Sequence, residues 1–189
     1  KLSLRNNSVT DRMVTYKKIE NILKQYSNRK CTVQVIHGYM TENELHGLCT
    51  HPKIKAMISI SNGECYCLPL SSAAGVGLPV ITTDWGGQKD FLYTEIKDKK
   101  TKQTVIKSMF ASVKYDIKPI QKEVVWDNVL IPESEWSYAQ QGSYKLRLRE
   151  VYREYNRFSQ QAKTLQKFLL NKFTKQNQYK MMVESILNE

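Results

Sequence analysis

The sequence has few cysteines and no long apolar run. Its 189 residues include four cysteines, too few for a disulfide-dense miniprotein, so reduced thiols in the cytoplasm are expected. The longest uncharged stretch, Cys65 to Thr83, is interrupted by glycine, proline and serine and does not predict a membrane-spanning helix. Hydrophobic residues make up 41% and charged residues 25%, which excludes a disordered or collagen-like chain.

The chain is basic, with a formal net charge of +11. Such a charge favours anionic partners: nucleic acid, acidic lipid headgroups or phosphorylated small molecules. No zinc-finger spacing and no aromatic-basic strand pattern accompanies the charge, so nucleic acid is the least favoured of these partners. The length suits one domain or at most two small ones. The first residue is Lys rather than Met, which favours a piece of a longer chain.

The basic residues form two groups. The first is predicted to lie in a polar loop and comprises Lys97, Lys99, Lys100 and Lys102. The second is spread over the C-terminal third and is interpreted as the solvated face of helices; its members are Lys145, Arg147, Arg149, Arg153, Arg157, Lys163, Lys167, Lys172, Lys175 and Lys180.

Helical and strand patterns alternate along the first half of the chain. A capping box at Thr41 and Glu44 starts one of the predicted helices. The predicted helices cover 14–26, 42–49, 70–76 and 88–93, and the predicted strands cover 1–4, 31–37, 56–61, 80–83 and 109–115. Residues 119–142 are predicted to be irregular, and two helices follow at about 143–171 and 172–187.

This alternation predicts an α/β fold, with a Rossmann-like parallel sheet, helices on both faces and a C-terminal helical extension. The predicted domain boundaries are 1–142 for the sheet domain and 143–189 for the extension, whose helices either pack on the sheet domain or cross to a missing N-terminal domain. Ligands bind such sheets beyond the carboxyl ends of the strands. Three turns follow predicted strands and are expected at that rim: Gly38-Tyr39, Asn62-Gly63-Glu64 and Asp84-Trp85-Gly86-Gly87.

Residues 56–91 carry a more specific pattern. Glu64 is followed by Leu68-Pro69, then by Gly77-Leu78-Pro79-Val80-Ile81 and by Gly86-Gly87. This arrangement resembles the donor-binding core of group 1 retaining glycosyltransferases of the GT-B fold, and the resemblance extends over roughly residues 30 to 160. It implies the C-terminal nucleotide-sugar-binding domain of an enzyme that transfers a hexose to an acceptor hydroxyl.

The resemblance also implies site residues. Glu64, the catalytic candidate, would hold the sugar with Gly63, while Gly38, Tyr39 and Met40 would lie against the base. The start of the helix at Leu68 and Pro69, with Cys67 before it and Ser72 within it, would hold the diphosphate or ribose, since amides at a helix N-terminus favour anions. The candidate phosphate partners are Arg5 and Arg12.

Two positions depart from the family pattern. Ser72 stands where the family has a second glutamate, which leaves one hydroxyl in place of a carboxylate for the ribose. Tyr66-Cys67 replaces the family glycine that precedes Leu-Pro, which is expected to narrow the sugar pocket. The spacings Cys49-x-His51 and Cys65-x-Cys67 are not those of a zinc site, so no metal is predicted.

The implied partners follow from this interpretation. No cofactor is expected beyond the nucleotide-diphosphate sugar, which is the donor substrate. The acceptor would be a hydroxyl of a glycan, lipid or protein, presented by a missing N-terminal acceptor domain. The predicted location is the cytoplasm, with peripheral membrane contact left open.

The sequence is also compatible with two other functions. The first is a GT-B-like nucleotide-sugar epimerase, and the second is a non-catalytic basic module that binds acidic membrane or nucleic acid. His37 is either a structural histidine or a residue of the ligand rim. Trp126 and Trp136 are predicted to be packing anchors.

Overall fold

The computed structural model describes residues 9–97 and 101–187. Arg5, Lys99, Lys100 and the strand predicted at 1–4 lie outside these residues. The chain divides into two compact units, one ending at Leu45 and the other starting at His46. No helix in the described ranges is long and apolar enough to cross a membrane.

The first unit contains helix α1 (Val9–Lys24) and the start of helix α2 (Glu42–Thr50). The predicted capping box of α2 is present. The Glu44 backbone N–H donates to Thr41 Oγ1 at 3.2 Å, and the Thr41 backbone N–H donates to a Glu44 carboxylate oxygen at 2.7 Å. The bond from the Thr41 backbone, together with one from the Thr41 hydroxyl at 2.8 Å, lowers the pKa of the Glu44 carboxyl. The helix predicted for 42–49 is therefore confirmed.

The strand predicted at 31–37 is wrong, because this segment forms no strand. Val33 and Ile36 are exposed, at 43% and 68%. The Val35 carbonyl oxygen accepts a hydrogen bond from the Tyr16 hydroxyl at 3.2 Å, which is a side-chain contact rather than a ladder bond. An apolar run becomes a strand only when a neighbour pairs with its backbone, and no described strand does so here.

The second unit is built on a parallel sheet of three strands in the order β1–β2–β5: β1 (Met57–Ser59), β2 (Val80–Thr83) and β5 (Ala111–Val113). All three fall inside predicted strands, and β2 has its predicted bounds. Helix α3 (Leu68–Gly75) connects β1 to β2, and the short helix α4 (Lys89–Leu92) follows β2. These elements confirm the α/β class and the βαβ alternation in this part of the chain.

Both faces of the sheet are covered. Val80 packs with Leu70 of α3 and Leu165 of a C-terminal helix, whereas its neighbour Ile81 packs with Val151 and Phe158 on the opposite face. This follows from the alternation of side chains along a strand. The core of the unit therefore lies on both sides of β2, all four of whose residues are buried.

Two antiparallel strand pairs were not predicted. The first joins β3 (Tyr93–Lys97) to β4 (Thr104–Ser108), so the loop prediction is wrong for Lys97, which pairs with Thr104. The second joins β6 (Tyr115–Pro119) to β7 (Glu135–Ala139). The prediction of irregular structure over 119–142 is therefore wrong at β7. A 3₁₀ turn (Lys122–Val124) lies between β6 and β7.

Three helices complete the unit: α5 (Gln141–Arg153), α6 (Tyr155–Lys172) and α7 (Lys175–Leu187). The break between α5 and α6 falls at Glu154. Helix α6 buries Phe158, Ala162, Leu165 and Leu169, at spacings of three and four residues that place them on one face. Helix α7 has no buried residue among those described.

Candidate functional site

Two loops meet at the carboxyl ends of β1 and β2. The loop after β2 packs on the loop after β1, because the Gly87 backbone N–H donates to the Glu64 carbonyl oxygen at 3.0 Å. Gly86 has φ +86°, and a Cβ there would lie 2.8 Å from that same oxygen. Glycine at 86 therefore serves both the left-handed backbone and the close approach. Ligands of parallel sheets bind at this end of the strands.

Strand β7 supplies a third wall. The carbonyl oxygen of Asn62 accepts two hydrogen bonds from Ser137, one from its backbone N–H at 3.1 Å and one from its hydroxyl at 2.9 Å. Ser137 is fully buried. The pair fixes the residue before it, Trp136, beside the loop after β1.

Together these segments line an open surface cleft of about 590 Å³, a volume in the range of small-molecule sites. Glu64 is its acidic residue and Lys89, at the start of α4, its basic one. The indole rings of Trp85 and Trp136 form the apolar parts of its walls. The lining residues are Gly63, Glu64, Cys65, Trp85, Gly86, Lys89 and Trp136.

Lys89 is held loosely at the cleft. Its Nζ lies 3.9 Å from Asp84 Oδ1, and the lysine side chain is 53% exposed. The other oxygen of Asp84 accepts a hydrogen bond from the Tyr93 hydroxyl at 2.7 Å. Burial, followed by this bond to Asp84, raises the pKa of Tyr93 to about 12. The carboxylate thus has a firm neutral partner and a weak cationic one, which leaves the ammonium able to turn to another anion.

Trp85 is positioned by an aromatic neighbour. Its ring lies 5.6 Å from that of Tyr115, at an interplanar angle of 56°. Trp85 is 37% exposed, so part of the indole remains accessible. Trp136 is half-buried. The predicted role of packing anchor is wrong for Trp126, which is 62% exposed.

Cys67 lies behind the cleft rather than in it. The residue is buried and packs in the core with Leu70 and Phe91. Burial raises the pKa of its thiol, and the negative charge of nearby Glu64 adds to the effect. A protonated, buried thiol is a core residue, so any donor contact by Cys67 is confined to its backbone.

Helix α3 forms close to its predicted position, and no side chain caps its N-terminus. Cys67 precedes it with φ 62°, makes no capping hydrogen bond, and Pro69 occupies the first turn. Leu68 is 71% exposed, and Ser72 is exposed on the helix. Neither residue lines the cleft.

The remaining predicted residues belong to the first unit. Gly38 has φ +138°, Tyr39 is 82% exposed and Met40 is half-buried. Arg12 is exposed on α1, and His37 is half-buried. The structure therefore brings Gly63 and Glu64 together in the cleft of the second unit. The residues predicted to bind the base, Gly38, Tyr39 and Met40, belong to the first unit.

Sequence reasoning missed Lys89 and the role of Trp136. Lys89 follows the Gly-Gly turn by two positions, so the turn at a strand end was an available signal. Trp136 carried no local signal, because β7 reaches the cleft through a contact between residues 75 apart in the chain. Across the described ranges, no group of three or more His, Cys, Asp or Glu residues could hold a metal ion.

A scan against protein-family models, a search of curated proteins and a search of solved structures found no match to this chain. The site therefore stands on its own geometry: two indoles, one carboxylate and one ammonium around a cleft at the carboxyl ends of parallel strands.

Proposed function

We propose that this cleft binds the sugar of a nucleoside-diphosphate sugar and that the chain is the donor-binding part of a retaining glycosyltransferase. One observation carries the proposal: the sheet edge gathers Glu64, Lys89, Trp85 and Trp136 around a single cleft. Sugars have hydroxyl groups around apolar C–H faces, and a diphosphate adds negative charge. The lining offers a partner for each of these features.

Glu64 is the residue for the sugar. Its ionised carboxylate accepts hydrogen bonds through two oxygens, which suits a pair of neighbouring hydroxyls. The carbonyl of Glu64 is already taken by Gly87, so the loop that carries it is fixed before a ligand arrives. Trp85 and Trp136 supply rigid apolar area for the C–H face of the ring.

Lys89 is the residue for the diphosphate. The nearest anion that the structure describes, Asp84 Oδ1, is 3.9 Å away, which is longer than a hydrogen bond, and the lysine side chain is 53% exposed, so the ammonium is free to meet a ligand. A phosphate oxygen offers the ammonium a stronger, charge-assisted hydrogen bond. The same bond would stabilise the diphosphate as it leaves the sugar.

The proposed reaction transfers the hexose to an acceptor hydroxyl with retention at the anomeric carbon. The acceptor would be held by a further domain, so the chain studied alone is expected to bind the donor and transfer nothing. The resemblance described above supports this assignment through Glu64 and the Gly-Leu-Pro and Gly-Gly segments.

Isothermal titration calorimetry against a panel of nucleoside diphosphates and nucleotide sugars tests the proposal. One nucleotide sugar should bind selectively and more tightly than its nucleoside diphosphate. Glu64→Gln keeps the side chain's shape but removes a hydrogen bond to a charged group. The variant should bind the nucleotide sugar about tenfold or more weakly, with little change in affinity for the nucleoside diphosphate. Lys89→Gln should lower the affinities for the nucleotide sugar and for the nucleoside diphosphate by the same factor.

Matched controls are available on the β3–β4 hairpin. Glu95→Gln and Lys107→Gln change exposed residues of the same charge and should leave the affinities unchanged. A flat panel with the folded chain, or selective binding that Glu64→Gln leaves intact, would overturn the proposal.

A further inference from the structure

Helix α7 presents an exposed apolar stripe. Its members, here called the C-terminal apolar stripe, are Tyr179, Met182, Val183 and Ile186. They are spaced by three, one and three residues, which places them on one side of a helix. All four are more than half exposed, at 57%, 63%, 52% and 62%. Contiguous exposed apolar surface of this kind marks an interaction site.

The junction between α6 and α7 is well defined. The hydroxyl of Thr174 accepts a hydrogen bond from the Asn177 backbone N–H at 3.2 Å and so caps α7. The side chain of Asn177 donates to the Asn171 carbonyl oxygen at 2.6 Å, and that of Gln178 donates to the Lys172 carbonyl oxygen at 3.2 Å. These bonds tie the first turn of α7 to the last turn of α6.

The surrounding charge is strongly positive. Residues 163–187 contain five lysines and one acidic residue, Glu184. Lys163 and Lys167 are exposed on α6, away from the buried Leu165 and Leu169. Glu184 pairs with Lys180, whose Nζ lies 3.7 Å from a Glu184 carboxylate oxygen, which leaves the other four lysines of this segment without an acidic partner among the described residues.

Two lysines lie across aromatic rings next to the stripe. The Nζ of Lys172 lies 5.4 Å from the ring centre of Phe168 and 5.3 Å from that of Phe173, and the Nζ of Lys175 lies 5.6 Å from that of Tyr179. In this arrangement the ammonium groups of Lys172 and Lys175 lie within cation–π distance of aromatic rings.

We propose that α7, with the end of α6, binds an anionic phospholipid surface. A helix that lies on a membrane has an apolar side for the acyl boundary and lysines that meet acidic headgroups. The C-terminal apolar stripe supplies the first and Lys172, Lys175 and their neighbours supply the second. Charge complementarity favours this partner, because one acidic residue among five lysines gives no mixed pattern for pairing with another helix. The inference is independent of the donor cleft.

Flotation of the purified chain with vesicles tests the proposal. Binding is expected to vesicles of phosphatidylcholine mixed with phosphatidylserine, to be weak on pure phosphatidylcholine and to fall as salt is raised. Met182→Asp combined with Ile186→Asp should abolish binding. Lys172→Gln combined with Lys175→Gln should weaken it about twenty-five-fold, because each lysine near such a surface contributes about fivefold.

The control variants come from α5. Leu146→Asp changes another apolar helical residue that is 59% exposed, and Lys145→Gln with Arg149→Gln removes two exposed cations. Both should leave binding unchanged, and circular dichroism confirms that every variant is folded. The proposal is overturned if the folded chain ignores both vesicle types, or if the lysine pair makes no difference. It is also overturned if the stripe instead drives concentration-dependent dimers in gel filtration without vesicle binding.

Discussion

Gly87 and Cys65 are in closer backbone contact than any side chain permits. A Cβ built at Gly87 would lie 1.6 Å from the Cys65 carbonyl oxygen and 3.2 Å from the Tyr66 Cα. The neighbour is backbone, which cannot move aside as a flexible side chain can. The two loops that form the cleft therefore fit only while residue 87 is glycine.

Gly87→Ala is expected to force these loops apart. The free energy of unfolding should fall by about 3 kcal/mol or more, the upper range for overpacking, and ligand binding in the cleft should be lost. Urea denaturation measures the first and calorimetry the second. Gly142→Ala is the control, since a Cβ there meets nothing within 4 Å; it should be neutral or stabilise α5 by up to about 1 kcal/mol. Equal stability of the two variants would contradict the contact.

Gly77 should tolerate substitution better than Gly87. It ends α3 in a Schellman arrangement, with the Gly77 N–H bonded to the Ala74 carbonyl and the Leu78 N–H to the Ala73 carbonyl. Its φ is +77°, and the atom nearest a new Cβ is the Gln166 side-chain oxygen at 2.9 Å, which can rotate away. Gly77→Ala should therefore cost about 1 kcal/mol from the left-handed backbone alone.

The control for Gly77 is Gly75→Ala in the same helix. Gly75 has open space around its Cβ position, so alanine should leave α3 unchanged or slightly more stable. A loss of stability in Gly75→Ala that matched Gly77→Ala would show that backbone conformation is not the cause. Chemical denaturation of both variants decides between these results.

Tyr93 makes stability depend on alkaline pH. Burial and the bond to Asp84 raise its pKa to about 12 from an ordinary 10. The folded state therefore favours the protonated hydroxyl: the contribution is complete below pH 10 and is lost as pH rises towards 12. Tyr93→Phe should lower the free energy of unfolding at neutral pH by about 1–2 kcal/mol and flatten the decline between these values.

Tyr152→Phe is the matched control for Tyr93, because Tyr152 is 86% exposed. Its denaturation curves should follow those of the unmodified chain from pH 7 to pH 12. If Tyr93→Phe gave the same alkaline slope as this control, the bond between Tyr93 and Asp84 would not be the source of the dependence.

Glu150 makes stability depend on acidic pH. A hydrogen bond from Arg147 lowers its pKa below the ordinary 4.5, against a partial effect of burial, and Arg157 of α6 adds to the lowering. Its stabilisation is thus present above pH 4.5 and is lost as pH falls through the lower folded-state value. Glu150→Gln should cost about 1 kcal/mol at pH 7 and make the acid decline shallower, whereas Glu123→Gln, at an exposed residue, should change neither.

Local signals predicted the elements nearest the cleft. Strand β2 has its predicted bounds because Gly77, Leu78 and Pro79 end α3 and leave a short β-branched run that is buried on both faces. The capping box of α2 is equally local. In each case the residues that determine the structure lie within four positions of one another.

Pairing between distant segments could not be predicted in this way. Thr94 and Ile96 alternate with charged residues as in a strand, but so short a pattern does not show the pairing with β4, and the hairpin was not predicted. Conversely, Val33 and Ile36 have a strand-like composition and no described partner. A strand depends on its neighbour's backbone groups, which composition does not show.

The residues of the cleft show the same difference between local signals and long-range contacts. Glu64 was found because the residues that frame it lie close in sequence. Lys89 and Trp136 join the cleft only through the packing of one loop on another and through the Ser137–Asn62 bonds. Cys67 was assigned to the donor because it precedes Leu68 at the start of α3, but its side chain packs in the core, where its backbone is left-handed.

The two hydrogen bonds from Ser137 to Asn62 also bear on the order of folding. They close a loop of 75 residues, and so long a closure must be offset by contacts that form before it. The βαβ segment from β1 to β2 needs no such closure and can assemble first. During synthesis, the third wall of the cleft cannot form until the chain has been made beyond β7. A truncated chain that ends after β5 would lack this wall and also the residues of α5 and α6 that cover the sheet.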